Sequence, residues 1–179
     1  KESVDLIVTN PPYISSVRYL ETLKLEMSWA GYIRNPDEYR DLDREQIGSE
    51  RFTSKETASF RITGIREVDM VSRSLFEKGQ QKMSLTVSTY FRRLTSALDS
   101  WDEMLKSGGT LVLKISPSKV RSEIVPTPDI VADLLKRKGY SIAERFEDSY
   151  NQNSRSLLTA RNYYSGRMDS DVILVMVKP

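Results

Sequence analysis

One short stretch constrains this chain more than any other: Val4-Asp5-Leu6-Ile7-Val8-Thr9 running straight into Asn10-Pro11-Pro12-Tyr13. The first six residues form a short, β-branched, largely apolar run that suits a buried strand. Two consecutive prolines must then stop it, because neither has an N–H to donate and each restricts the residue before it. The strand therefore leads into a stiff, extended turn with an amide at its start and an aromatic ring at its end. Ligands of open α/β sheets bind at the carboxyl ends of strands. A site is expected at Asn10, Pro11, Pro12 and Tyr13; the plainer alternative is a proline-rich turn after a core strand.

Composition limits the chemistry such a site can run. The chain has no cysteine, so no disulfide framework and no thiolate nucleophile. It has no histidine, so no imidazole base and no ordinary zinc site, and no metal is expected. Lys and Arg total 27 against 25 Asp and Glu, and a net charge of +2 does not by itself announce nucleic acid. Any basic surface has to be local. No run is long and apolar enough to span a membrane and no signal peptide is visible, so a soluble, cytoplasmic protein is the expectation. At 179 residues there is room for one domain with a real core. Catalysis by positioning fits this inventory.

After the tetrad, Ser15-Ser16 offers a cap for a helix from about Val17 to Ala30, with Leu20, Leu23, Met27 and Ala30 on one apolar face. Trp29, Tyr32 and Tyr19 are expected in the core, Tyr19 being the one that also suits a pocket beside Tyr13. Residues 34–82 are more polar and lack a clean strand, and they read as a mainly helical insertion. Asn35-Pro36-Asp37 starts a helix through Gln46, residues 49–64 read as a loop, and a helix carrying Val68, Val71, Leu75 and Phe76 comes next. Arg34, Arg40, Arg44, Arg51, Arg61, Arg66 and Arg73 are interleaved with Tyr39, Phe52 and Phe60. Phosphate contacts and ordinary surface ion pairs both explain that pattern.

The strongest helical stripe runs from Met83 to Lys106. Gly108-Gly109 is expected to end it, with Thr110 to Ile115 forming a second buried strand after it. Residues 117–126 read as a loop at that strand's carboxyl end, where Ser116, Ser118, Lys119 and Arg121 share an edge with the tetrad. Thr127 is expected to cap a helix with Pro128 at its first position and Gly139 at its close. Its apolar face is Ile130, Val131, Leu134 and Leu135, and Lys136, Arg137 and Lys138 suit the dipole of its last turn. Tyr140 to Phe146 and Asp171 to Val177 read as a final antiparallel pair at the sheet edge. The long linker between them holds Asn151, Asn153, Arg155, Arg161, Asn162, Tyr163, Tyr164 and Arg167, residue types suited to phosphate and base-edge contacts.

Asn10-Pro11-Pro12-Tyr13 is similar to the catalytic motif of S-adenosylmethionine-dependent methyltransferases that methylate an amino nitrogen in a planar system. The stretch Tyr19-Leu20-Glu21, Leu23-Lys24-Leu25-Glu26 with Trp29 and Gly31, and Arg44-Glu45-Gln46-Ile47-Gly48-Ser49 with Arg51 resembles a subgroup of DNA amino-methyltransferases. In that subgroup the tetrad more often begins with Ser; Asn is an equally able acceptor. The order of helix, Gly-Gly and apolar strand also matches the family's core. The resemblance implies a Rossmann-like class I methyltransferase fold within the α/β class. It divides the chain into residues 1–33 (catalytic strand, tetrad and next helix), 34–82 (insertion, a place for target recognition) and 83–179 (the rest of the core). It implies that Asn10 and the Pro11 carbonyl accept hydrogen bonds from the target amine and that Tyr13 stacks on a flipped base. S-adenosylmethionine is the implied cofactor, with Asn10 at the edge of its site. DNA is the implied partner and Tyr13 an implied substrate contact; Tyr19, Arg155, Arg161, Tyr163, Tyr164 and Arg167 are expected contacts by residue type and position, the alternative for the linker being a disordered hairpin tip.

The chain opens almost inside its first strand, without an initiator Met, and contains no Gly-rich strand-to-helix turn for a nucleoside cofactor. It is therefore expected to be the C-terminal, catalytic half of such an enzyme, inactive by itself, with the cofactor-binding half upstream, on another chain or removed. Adenine N6 stands ahead of cytosine N4. An RNA or protein-glutamine N-methyltransferase remains open, as does an inactive nucleic-acid-binding relative.

Overall fold

The computed structural model describes residues 2–14, 19–149 and 170–179 and shows a mixed α/β chain. In chain order the elements are β1 (Val4–Thr9), α1 (Tyr19–Thr22), α2 (Lys24–Trp29), α3 (Pro36–Glu45), α4 (Ser54–Thr57), α5 (Arg66–Glu77), α6 (Gln81–Met104), β2 (Leu105–Ile115), β3 (Ser118–Val120), β4 (Glu123–Val125), α7 (Thr127–Arg137), β5 (Ser141–Ser149) and β6 (Ser170–Val177). The chain divides into two units, residues 1–13 with 92–179 and residues 14–91.

The first unit is built on a sheet of order β1-β2-β6-β5. β1 and β2 are parallel, with Ile7 level with Leu111 and Thr9 with Leu113. β6 runs antiparallel to both β2 and β5, the edge pairing expected for the last two strands. Alternation along a strand sends successive side chains to opposite faces. On one face Leu111, Leu113 and Ile115 lie beside Met176, Leu174 and Val172, all buried. α7 packs on β5 and β6 and buries Ile130, Val131, Ala132 and Leu135. At the amino end of β2, Lys178 Nζ donates to the carbonyls of Asp102 and Leu105 at 2.7 and 2.8 Å, and the Tyr140 hydroxyl donates to Asp102 at 2.9 Å. Burial, then the Asp102 carboxylate, pushes the Tyr140 phenol well above its usual range.

The opposite face is far less covered. Leu6 and Val8 are 55% and 69% exposed, Phe146 is half exposed, and Val112, Ile173 and Val175 are half-buried. The buried strand expected at Val4–Thr9 is therefore a strand with one bare face. Among the described residues β1 also ends the sheet and has β2 alone as neighbour.

Other expectations change in detail. Helix α6 stops at Met104, before the glycines, and Gly108-Gly109 lie inside β2. Val4 is level with Leu105 but Leu6 with Thr110, so the residues around the glycines bulge out of the ladder. Gly108 takes a φ of +74°, and a Cβ on Gly109 would come within 2.8 Å of the Leu105 side chain. Thr127 is the first residue of α7 and not its cap; Pro126 precedes it, and the Thr127 hydroxyl donates back to the Val125 carbonyl at 3.5 Å. The loop expected at 117–126 contains the hairpin β3–β4, pinned by buried Ser118, Val120 and Val125.

In the second unit the Asn35 side chain accepts from the N–H groups of Asp37 and Glu38 at 3.0 and 2.9 Å and starts α3 as its sequence requires. The loop expected at 49–64 includes one helical turn, α4, held by a capping box between Thr53 and Glu56. In α5, Val68 and Leu75 are buried as the periodicity predicts. The helix expected over Val17–Ala30 is instead two short pieces broken at Leu23 (φ −99°, ψ 10°). Pieces of four and six residues cannot hold one continuous stripe. Leu20 alone of that face is buried, while Leu23 and Ala30 are exposed. The aromatics expected in the core are outside it, Trp29 at 98% exposure, Tyr32 at 70% and Tyr19 at 43%.

The two sheet faces predict opposite responses to substitution. Leu174→Ala, in the buried layer, is expected to cost about 2–5 kcal/mol. Val8→Ser, on the bare face, is expected to change stability by less than about 0.5 kcal/mol. Urea unfolding midpoints of the two variants compare them directly.

Candidate functional site

Because β1 and β2 are parallel, both end at one edge of the sheet, and Thr9 level with Leu113 makes Asn10 and Lys114 the next residues on neighbouring strands. Asn10 is exposed, Pro11 is buried, and Pro12 and Tyr13 are half-buried. Burying the first proline fixes the direction in which the chain leaves the sheet and keeps Asn10 at the rim. The exposed residue of the turn is Asn10, and neither proline has an N–H to donate. The Asn10 amide oxygen can accept from a ligand N–H.

A second polar group lies at the same edge, one strand further on. The Ser116 hydroxyl donates to Asp171 Oδ1, and Lys114 Nζ lies 3.1 Å from Asp171 Oδ2. Asp171 and Ser116 are both buried. These residues were not marked as a group by the sequence, since Lys114 sits inside an apolar strand and Asp171 is 57 positions further along. A lone lysine within Leu-Val-Leu-Lys-Ile was the available signal. Of the other residues expected at this edge, Ser118 is buried, while Lys119 and Arg121 are exposed on the β3–β4 hairpin. Arg121 takes a left-handed φ of +58° at its tip.

The arginines of the second unit are mostly engaged within it. Arg40 meets Asp37 at 2.9 Å, Arg44 meets Glu56 at 3.1 Å, and Arg51 binds the buried Asp43. Gln46 Nε2 also donates to Asp43 at 2.9 Å, and its Oε1 accepts from the Leu20 N–H at 3.1 Å, so α1 is tied to the end of α3. Arg51 and Lys24 lie over the Tyr39 ring at 5.6 and 5.0 Å, and Arg73 over Phe60 at 4.8 Å. Ion pairing and ring stacking account for Arg40, Arg44, Arg51 and Arg73. The Gln46 and Arg51 of the sequence pattern thus brace the backbone here. The hydrogen bond from Arg51 to Asp43 holds the guanidinium above its usual pKa.

Tyr13 belongs to the first unit and Tyr19, at the start of α1, to the second. Arg155, Arg161, Tyr163, Tyr164 and Arg167 lie outside the described residues. Among the described residues no three His, Cys, Asp or Glu side chains stand together as a metal-binding group. No protein-family model matches the chain, and no curated protein matches it either.

Glu56 provides a pH test of the local architecture. The Thr53 N–H and hydroxyl, and then Arg44, hold its carboxyl below the usual value of 4.5. A depressed folded-state value means that its stabilisation is present above 4.5 and is lost as pH falls through the lower, folded value. Glu56→Gln is therefore expected to destabilise near neutrality and to match the parent protein in strong acid, as read from urea midpoints at the two pH values.

Proposed function

We propose that this chain is the catalytic half of an S-adenosylmethionine-dependent DNA methyltransferase of Rossmann-like class I fold, acting on the exocyclic amine of a flipped base, adenine N6 ahead of cytosine N4. The observation that carries this reading is Asn10-Pro11-Pro12-Tyr13 at the carboxyl end of a strand parallel to its neighbour. An exocyclic amine is conjugated and weakly nucleophilic. Two acceptors, the Asn10 amide oxygen and the Pro11 carbonyl, engage its hydrogens and favour a localised lone pair. Tyr13 stacks on the base ring and holds the nitrogen at the rim. Held by Asn10 and the Pro11 carbonyl, the amine nitrogen would be set to accept a methyl group, with its surplus proton free to pass to water. When bound, S-adenosylmethionine supplies the electrophilic methyl group, with Asn10 at the edge of its site.

The exposed edge of the sheet supports a reading in which the chain works with a cofactor-binding half. Parallel strands are found with both faces covered and with neighbours along their edges. β1 has a bare outer edge among the described residues, and Leu6 and Val8 stand exposed beside the Asn10 end. A further α/β layer added along β1 would cover both and bring the cofactor next to Asn10.

The test uses this chain together with its cofactor-binding half, labelled S-adenosylmethionine, and DNA, RNA or protein, and ends in digestion of the labelled product. N6-methyladenine or N4-methylcytosine is the expected product. Label in RNA or in glutamine would keep the amine chemistry and replace the substrate, and no transfer despite cofactor binding would leave a non-enzymatic binding domain. Asn10→Ala is expected to lower transfer by about 100-fold or more while DNA binding persists. The isolated chain is expected to give no single-turnover methylation.

A further inference from the structure

The pair Lys114–Asp171 is not explained by stability. A buried carboxylate loses several kcal/mol of hydration, and well-packed apolar residues in place of a buried ion pair are often neutral or stabilising. Yet Asp171 is 3% exposed, opposite an otherwise apolar strand, and takes a hydrogen bond from Ser116 and the ammonium of Lys114 at 3.1 Å. The Lys114 side chain itself is 39% exposed. Its end is thus held by a buried group and open to solvent at once. Its place in the sheet is equally specific. Val8 is level with Val112 and Thr9 with Leu113, so Lys114 stands one residue past the level at which β1 ends and the chain enters Asn10.

We propose that Lys114, aimed by Asp171 and Ser116, is the anchor for a backbone phosphate next to the target nucleotide. This rests on the proposed nucleic-acid substrate. Lys114 lies on the β2 side of Asn10, away from the bare edge of β1 where the cofactor-binding half is placed. The ligand on this side is therefore the substrate, and a nucleic acid presents an anion at every nucleotide. An ammonium has three donors, so one can stay on Asp171 while another meets a phosphate oxygen. Holding the side chain in advance reduces the rotamer freedom lost on binding. Because Asp171 offsets the charge, the pair fixes register and contributes little long-range attraction, in keeping with a chain whose net charge is only +2.

The test is the salt dependence of binding of the chain to a duplex oligonucleotide, measured by fluorescence anisotropy. Each phosphate contact adds about 0.9 to the slope of log affinity against log salt. Lys114→Met is expected to lower that slope by about 0.9, so that affinity falls about three- to fourfold less than in the parent protein between about 50 and 200 mM salt. Lys114→Arg is expected to restore the slope. Lys136→Met removes an equal charge from the last turn of α7 and is expected to leave the slope unchanged. Thermal melts establish that the variants fold. An unchanged slope in Lys114→Met, or an equal fall in Lys136→Met, overturns the anchor while DNA binding stands. Absence of any salt-sensitive binding by the parent chain overturns both the anchor and the nucleic-acid reading.

Discussion

The parallel pairing of β1 with β2 is the constraint on which the rest of this structure depends. Two parallel strands cannot be joined by a tight turn, so the chain between Thr9 and Leu105 has to travel back to the other end of the sheet. It uses that return for the second unit and for α6. The same pairing brings both carboxyl ends to one edge, which is how Asn10 comes to stand beside Lys114 although they are far apart in sequence. Antiparallel pairing would have separated them by the length of a strand.

The sheet is asymmetric. One face is closed by aliphatic side chains and α7, the other leaves Leu6, Val8 and Phe146 in solvent. The opposite edge is closed by local charge: Lys178 on the carbonyls that end α6, and Tyr140 on Asp102. Structure is concentrated at one edge, and groups with chemical potential at the other.

Elements set by short-range chemistry were legible in advance. The stripe of α6, the Asn35 cap of α3 and the strand at Thr110 to Ile115 each arise from residues a few positions apart. Burial was far less legible. Leu20, Leu23, Met27 and Ala30 have helical spacing, but a break at Leu23 ends the continuous face, Leu23 and Ala30 are exposed, and Trp29 beside them ends almost fully exposed. Gly108-Gly109 reads as a stop and serves as a bulge, because the ladder to β1 continues past it. The arginines of the second unit could be read as phosphate contacts only while their acidic partners, up to a dozen residues away, were not yet paired with them.

Residue chemistry alone suits Val4–Thr9 to a strand and ends it in a stiff turn, since neither proline has an N–H to donate and each restricts the residue before it. It also gives this chain's own residues no thiolate or imidazole for catalysis. The folded chain adds that among the described residues β1 lies at a sheet edge with a bare face, and that Lys114, Ser116 and Asp171 meet just past the level at which β1 ends. Those outcomes depend on which strands pair and in what register, and hydrogen bonding between distant segments leaves no local pattern in the residues that make it.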